Sequence, residues 1–392
     1  MRTKRVRTGV AAAVVAAAVG CLAAAAAVAA PTSHHASQIN IGFFAPESGF
    51  AAADGQSAYD AAKLAVKQIN TAGGVNGQTL KLVNYDDGSD VKQAVSIATK
   101  LVTQDHVTAV VSGSYSDQTL AAAPIFQRYQ TPMLAAYAVN PGIPAAGSYI
   151  FQQDYSGNVE GAAGAYTLVK MLHATKIGVV SIDNDFGHAL VAGYKTEAAK
   201  LGASIVETDF NQFGEKTFTP VLQRDMGKGA NGYYMVQYAA EAQQYMTDWN
   251  QLGLKKPLVG TEGVDSTLQF VKPVGKAADG LIFTTPFNRD GANAVGKKFI
   301  STFAKAYGHL PDMVGATTYD SFLQLKNALM KGTSAEAIQA SIAATRDFNG
   351  AAGTTLRYTS GRSAVKPVDL EIFRNGQVHH YAYIRNLGII TP

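Results

Sequence analysis

Residues 61–90 constrain the fold more than any other part of the sequence, because a helix, a tight reversal and a strand follow one another there. Apolar residues recur at the i, i+3, i+4, i+7 spacing of a helix that buries one face: Ala62, Ala65, Val66 and Ile69. Gly73 and Gly74 end this helix, since glycine takes the left-handed conformation of a helix end without a Cβ clash. Residues 80–85 then form a strand. This order is typical of an α/β unit.

A second helix is predicted directly after this unit. Asp90 can cap its first turn, and its buried stripe comprises Val91, Ala94, Val95, Ala98, Leu101 and Val102. Further strand-like runs, separated by amphipathic segments, lie at residues 39–44, 107–112 and 132–136. Strands that are separated by crossover helices cannot pair as hairpins, so we expect a parallel sheet.

The same alternation begins again after Gln153. Strand-like runs lie at residues 176–182, 204–208, 233–238, 258–262 and 281–285, with a helix predicted at 241–252. Helices are then predicted at residues 292–307, 314–330 and 335–344, followed by strands at 368–373 and 378–384. Two similar α/β halves are the simplest account of this order.

Residues 1–30 are predicted to be a cleaved signal peptide. Four basic residues, Arg2, Lys4, Arg5 and Arg7, precede an alanine-rich apolar run, and residues 27–29 fit a small-x-small cleavage site. The run is long enough to span a bilayer, so an uncleaved anchor is the alternative. Cys21 follows a partial lipobox, which makes lipid attachment at Cys21 a further, less favoured possibility.

The exported part is expected to be electrically neutral and free of disulfides. The chain holds 33 Lys and Arg and 29 Asp and Glu residues, and four of the basic residues but none of the acids lie in the leader. The balance therefore does not indicate a nucleic-acid partner. Cys21 is the single cysteine, so the remainder must be held by its core.

The signatures of catalysis are absent or incomplete. Residues 291–298 match a phosphate-binding GxxxxGK loop, but Lys298 stands where a Ser or Thr would hold magnesium. The sequence contains no HExxH, CxxC or GxSxG pattern, and the exported part has no cysteine nucleophile. We therefore expect no enzyme, no metal site and no cofactor.

The alternating segments, with INIGFF before the first helix and APIFQRYQTPML after the second, resemble the periplasmic binding proteins for leucine, isoleucine and valine, which serve ABC importers. The resemblance runs from about residue 39 to about residue 385. It implies an α/β type I periplasmic binding fold: two Rossmann-like lobes with parallel sheets, joined by a three-strand hinge. The family's three crossings place one lobe at residues 38–152 plus 286–362 and the other at 153–285 plus 363–392.

The resemblance also implies a ligand site between the lobes, at the carboxyl ends of the strands. Ser116 matches a serine that receives the ligand carboxylate, the alternative being a helix cap. Tyr137 falls where a backbone carbonyl accepts from the ligand ammonium, and Val139 replaces the family's threonine, so only its amide could reach the carboxylate. Tyr238 aligns with a pocket tyrosine. Glu262 aligns with the acid that pairs with the ammonium, the alternatives being a helix cap or a solvent-facing residue.

Two further positions bear on the side chain of the ligand. Phe186 stands where the family often has a tyrosine that lines the cleft, and a core residue is the alternative. Asp54 occupies the position of an aromatic residue that covers the ligand, and a cap for a helix starting at Gly55 is equally compatible. If Asp54 faces the cleft, a polar or cationic side chain is favoured over an aliphatic one.

We therefore expect an exported, monomeric solute-binding protein of the periplasm that closes on a small amino acid and then docks on an ABC permease. Branched-chain and other hydrophobic or polar amino acids are the candidate ligands. Two alternatives remain. The same fold could bind an amide, a urea or an aromatic carboxylate, or the protein could be an exported ligand sensor that docks on a membrane receptor.

Overall fold

The computed structural model describes residues 38–392, so the predicted signal peptide and Cys21 lie outside the described residues. Two large sheets and one small sheet form the framework. The first sheet has five parallel strands in the order β2-β1-β3-β4-β5: β1 (Gln38–Ala45), β2 (Thr79–Asp86), β3 (Ala109–Ser112), β4 (Met133–Ala135) and β5 (Ile150–Gln152). The parallel pairing that the sequence predicts is confirmed.

The second sheet has seven strands in the order β15-β14-β10-β9-β8-β6-β7. Its parallel part consists of β6 (Lys176–Ile182), β7 (Ser204–Asn211), β8 (Gly232–Val236), β9 (Leu258–Gly260) and β10 (Ile282–Thr285). A small antiparallel sheet of β11 (Arg346–Gly350), β12 (Gly353–Tyr358) and β13 (Ala364–Val365) follows in the chain. The final hairpin, β14 (Val368–Arg374) and β15 (Gln377–Ile384), pairs antiparallel with β10 and completes the second sheet.

Helices connect most of these strands. In chain order they are α1 (Ala52–Thr71), α2 (Val91–Thr103), α3 (Ser116–Arg128), α4 (Gly142–Ala145), α5 (Gly157–Tyr166), α6 (Asp185–Lys200), α7 (Thr219–Gly227), α8 (Ala239–Gln251), α9 (Lys272–Val274), α10 (Ala294–Tyr307), α11 (Met313–Leu329), α12 (Ala335–Ala343) and α13 (Leu387–Ile390). Single π-helical turns lie at Thr167–Met171 and Thr267–Val271, and 3₁₀ turns at Glu262–Val264 and Gly275–Ala278. Within residues 38–392, no helix combines the length and the apolar character needed to cross a bilayer.

The first α/β unit forms as the sequence predicts. Helix α1 is followed by Gly73 at φ +99° and Gly74 at φ +74°, both in the left-handed region. Asp90 caps α2, since its side chain accepts from the Gln93 N–H at 2.8 Å.

The buried stripe of α2 differs in part from the prediction. Its buried residues are Ala94, Ile97, Ala98 and Leu101. The prediction is wrong for Val91 and Val95, which are 40% and 37% exposed, because the helix turns its 94/97/98/101 face to the core and leaves both valines at the rim.

Helices α5 and α6 pack at a distance that only glycine permits. A Cβ on Gly161 would lie 2.0 Å from the Leu190 carbonyl oxygen, and one on Gly193 would lie 2.2 Å from the Asn158 carbonyl oxygen. In the core on the other face of the second sheet, Trp249 packs against the rings of Tyr233 and Tyr245, with centroid distances of 5.0 and 6.1 Å.

The chain leaves the first sheet after Gln152 (the first passage), leaves the second sheet after Thr285 (the second passage), and enters the second sheet again after Val365 of the small sheet (the third passage). The first and third passages touch, because Gln152 forms a bridge with Ser363 and accepts a hydrogen bond from its hydroxyl at 3.0 Å. The exact lobe boundaries, 38–152 plus 286–362 and 153–285 plus 363–392, stay a prediction.

Candidate ligand site

A narrow cavity lies between the loops that follow the carboxyl ends of the strands in both large sheets. Six of the seven predicted site residues line it, together with three that the sequence did not single out: Asp54, Ser116, Tyr137, Phe186, Tyr238 and Glu262, then Tyr115, Gly263 and Met313. About 20 Å³ is open to the centre of a water molecule, which is room for about one ordered water. A ligand as large as an amino acid therefore requires the two sides to separate.

Ser116 begins α3, and the residue at the capping position is Tyr115. The Ser116 side chain therefore does not cap the helix as the alternative interpretation proposed. Its Oγ accepts from the Asn140 N–H at 3.3 Å, which holds the hydroxyl at the wall of the cavity. The start of a helix of this length favours a negatively charged group.

Asp54 lies within the first turn of α1, which begins at Ala52, so a cap for a helix starting at Gly55 is not what it provides. Its side chain is 5% exposed and accepts from the Tyr115 hydroxyl and from the Ser266 hydroxyl, each at 2.6 Å. Burial raises the pKa of Asp54, and these two hydrogen bonds oppose the rise. The bond to Ser266 joins the first turn of α1 to the segment that follows β9.

Glu262 follows β9 and is 3% exposed, so it does not face solvent. Thr261 holds the capping position of the 3₁₀ turn at Glu262–Val264 and no side-chain bond caps that turn. Glu262 Oε2 has no hydrogen-bond partner within residues 38–392. Burial, followed by the negative charges of Glu160 and Asp154, raises the pKa of Glu262 well above its ordinary value.

A second layer of buried charge lies behind Glu262, and the sequence did not reveal it. Glu160, on α5, accepts from the Glu262 N–H at 2.8 Å and from the Thr284 hydroxyl at 2.7 Å. Burial raises the pKa of Glu160 to about 8. Asp154, whose pKa burial raises to about 6, lies 3.8 Å from the ammonium of the buried Lys366. Within residues 38–392, the charges that act on Glu262 are thus those of several acids and of one cation, Lys366.

Aromatic rings from both sides meet across the mouth of the cavity. Tyr115 stacks on Tyr238 with a centroid distance of 4.6 Å, and Phe186 stacks on the same ring at 4.9 Å. Phe50 and Phe213, which are 45% and 42% exposed, have ring centres 4.6 Å apart and form the rim. These contacts close the site and give it an apolar, polarisable wall.

Of two further predicted site residues, Tyr137 lines the cavity and Val139 does not. Tyr137 lines the cavity and its hydroxyl donates to the Gly113 carbonyl, which fixes the ring. Val139 is fully buried, and its carbonyl accepts from the Gly157 N–H at 2.7 Å. It is not among the residues that line the cavity, and its proposed amide contact stays a prediction. In the part of the chain that the structure describes, no cluster of His, Cys, Asp and Glu is placed to hold a metal ion.

Two parallel-sheet halves with a cleft at the carboxyl ends of their strands define the class of type I periplasmic binding folds. Among solved structures, the leucine-binding protein LivK of Thermotoga maritima superposes with a TM-score of 0.83 at 26% identity, covering 89% of this chain and 99% of that one. The substrate-binding protein LivJ of Streptococcus pneumoniae, in complex with isoleucine, gives 0.82 at 26% identity, over 89% and 99% of the two chains. A Rhodopseudomonas palustris solute-binding protein in complex with benzoate shares the fold at 20% identity, with a TM-score of 0.80, over 88% and 96%.

Sequence comparison gives the same grouping. An amino acid binding protein of Pseudomonas aeruginosa is 28% identical over 234 residues, which is 59% of this chain and 63% of that protein. The Leu/Ile/Val-binding protein of Escherichia coli is 29% identical over 256 residues, 65% of this chain and 69% of that protein. The sequence model of the family described as periplasmic binding protein matches residues 38–371. The chain belongs to the periplasmic binding protein family, and its predicted resemblance to the Leu/Ile/Val-binding members is confirmed.

Proposed function

We propose that this protein is the periplasmic solute-binding component of an ABC importer and that it traps a small amino acid in the cavity lined by Ser116 and Glu262. The family consists of solute-binding proteins rather than enzymes, and several of its members in the comparisons bind amino acids. The observation that carries the ligand class is the Glu262 carboxyl group, which is buried and has no partner for Oε2 within residues 38–392.

A cation from the ligand would remove the energetic problem that Glu262 presents. An isolated buried carboxylate costs several kcal/mol, and burial raises the pKa of Glu262, which favours its protonated form when no cation pairs with it. A ligand ammonium at the cavity wall would let Glu262 ionise and would give both groups charge-assisted hydrogen bonds. A plain carboxylate ligand offers no such partner, so the amine is the feature that the site selects.

The opposite side of the cavity suits the ligand carboxylate. The Ser116 hydroxyl lies at the start of α3, where the helix end favours an anion. The Val139 amide is proposed as a second donor that becomes available when the cleft reorganises around a ligand.

The other residues that line the cavity indicate which kind of ligand side chain the site prefers. Asp54, with Tyr115, Tyr238 and Phe186, forms a wall of one carboxyl group and three rings. A carboxyl group and aromatic faces both attract cations. We therefore propose that the preferred amino acid carries a polar or cationic side chain, with branched-chain amino acids as weaker ligands. An aromatic carboxylate is the second candidate, because the same rings could stack on it.

Isothermal titration of refolded, ligand-free protein against the amino acids tests this assignment. Glu262→Gln should weaken an amine-bearing ligand far more than its analogue without the amine, and Glu336→Gln, at an exposed position on α12, is the matched control. Equal losses for the two ligands would contradict the role of Glu262. No heat with any amino acid would overturn the ligand class, and a screen of amides, ureas and benzoate would then follow.

The wider role rests on hinge closure. The lobes proposed at residues 38–152 plus 286–362 and 153–285 plus 363–392 would close on the ligand, and the closed monomer would dock on a membrane permease. Export by cleavage after residues 1–30 would place the protein in the periplasm. Mass spectrometry of the exported protein would show whether residues 1–30, with Cys21, are removed.

A further inference from the structure

A second cavity lies near the passages between the two large sheets, on the other side of Lys366 from Asp154. About 210 Å³ is open to the centre of a water molecule, roughly ten times the space in the proposed amino-acid cavity. Its lining includes the polar side chains of Asn288, Asn293, Lys366, Asp369, Tyr383 and Arg385. These residues come from the second passage, the third passage, the start of β14 and the end of β15.

Lys366 is the most constrained of these residues. It is 1% exposed, and its one ion pair within residues 38–392, with Asp154 Oδ1 at 3.8 Å, is too long for a hydrogen bond. The carboxyl groups of Glu262, Asp320 and Asp369 also interact with its charge from further away. An ammonium group has three donors, and a buried ammonium without acceptors costs several kcal/mol. The cavity is where oxygen acceptors for these donors can be placed.

Two more donors face the same cavity. The Tyr383 hydroxyl accepts from the Asn288 amide, so its own hydrogen remains available to donate. The Arg385 guanidinium lies 4.5 Å from the centre of the Tyr383 ring and forms no ion pair with any residue of 38–392. Asn293 also lines the cavity and caps α10, whose positive end therefore points to this region.

Asp369 is the one acid in the lining, and its ionised form would oppose an anion. Burial, followed by the charge of Glu371, raises its pKa well above the ordinary value. Its Oδ1 is buried without a hydrogen-bond partner within the described residues. A protonated Asp369 would add a fourth donor.

We propose that this cavity binds a small oxyanion, such as inorganic phosphate or a short carboxylate, through Lys366, Tyr383 and Arg385. The bound anion would tie the third passage, through Lys366, to the end of β15, and it would lie beside Asn288 and Asn293 of the second passage. Since these passages must adjust when the two halves move, the anion would also shift the balance between open and closed forms.

Titration calorimetry of the exported chain with sodium phosphate and, separately, sodium acetate in a chloride buffer tests the proposal. We expect saturable binding of one anion per chain. Arg385→Gln should weaken it about tenfold or more, as expected for one lost charge-assisted hydrogen bond. Tyr383→Phe should weaken it severalfold with little change in shape.

Two controls separate this site from other effects. Arg374 lies at the other end of the β14–β15 hairpin. Arg374→Gln makes the same change in net charge as Arg385→Gln but away from the cavity, so it should leave anion binding unchanged. Glu336→Gln, at an exposed position on α12, should also leave it unchanged. Absence of saturable binding, equal losses in Arg374→Gln and Arg385→Gln, or loss of anion binding in Glu336→Gln would each overturn the proposal. Binding of phosphate without acetate would restrict the ligand to tetrahedral oxyanions.

Discussion

Replacement of Glu160 by glutamine should make the protein more resistant to alkaline pH. Glu160 accepts from the Glu262 N–H at 2.8 Å and the Thr284 hydroxyl at 2.7 Å, and burial raises its pKa from an ordinary 4.5 to about 8. A folded-state pKa above the unfolded value means that the folded chain binds the extra proton. This stabilisation is complete below about pH 4.5 and is lost as the pH rises through about 8.

The size of the effect follows from the pKa. Each pKa unit corresponds to about 1.4 kcal/mol, so ionisation of Glu160 removes about 4 kcal/mol of unfolding free energy between pH 5 and pH 9. Glutamine keeps a carbonyl oxygen for both donors and never ionises. Glu160→Gln should therefore gain about 4 kcal/mol relative to the unmodified protein over the same range.

Urea unfolding at several pH values, followed by the fluorescence of the buried Trp249, measures this difference. Buried acids away from Glu160 contribute equally to the pH dependence of both proteins, and the comparison cancels them. Glu336→Gln, at an exposed position on α12, should follow the unmodified protein at every pH. If Glu160→Gln also follows it, the reasoning about the buried carboxyl group is wrong.

Three other perturbations follow from the same contacts. Because Glu262 must be ionised to pair with an ammonium, the affinity for an amine ligand should rise with pH. Calorimetry in buffers of different ionisation heat should show that binding releases a proton. Binding of an amine ligand without proton release would contradict the pairing. Ser266→Ala removes a donor to Asp54 and should destabilise the closed form by about 1 kcal/mol, which lowers the closed-to-open ratio roughly fivefold. X-ray scattering should then show a larger radius of gyration, and an unchanged radius would show that closure does not need this bond. Gly161→Ala places a Cβ 2.0 Å from backbone and should lower the melting temperature strongly, whereas Gly227→Ala, with nothing within 4 Å, should not; similar melting temperatures would refute the packing argument.

The sequence predicted the regular part of the fold well because its periodicity is local. The strand predicted at residues 176–182 coincides with β6, and the helix predicted at 335–344 matches α12 to one residue. It missed β5 and the small sheet of β11 to β13, since these strands are short and β11, with the sequence RDFNG, lacks an alternating apolar face.

The candidate site could be predicted only in part, because some of its residues matter only through their packing. Six residues predicted from the family resemblance line one cavity, and Tyr115 was not predicted as a site residue although it directly precedes Ser116. Glu160 and Lys366 could not be found from the sequence, because their significance depends on packing next to Glu262 and Asp154 across many intervening residues. Burial of charge is a property of the assembled structure.

The placement of the single tryptophan suggests how this protein could be made into an optical sensor. Trp249 packs among tyrosines in a core far from the rim that Phe50 and Phe213 form, so its emission reports on unfolding. The sequence has one cysteine, Cys21, which precedes the described chain. A cysteine introduced at position 213 in place of Phe213 would be unique within residues 38–392 and could carry a polarity-sensitive dye. One molecule would then give two separate signals, tryptophan emission for unfolding and dye emission for ligand binding.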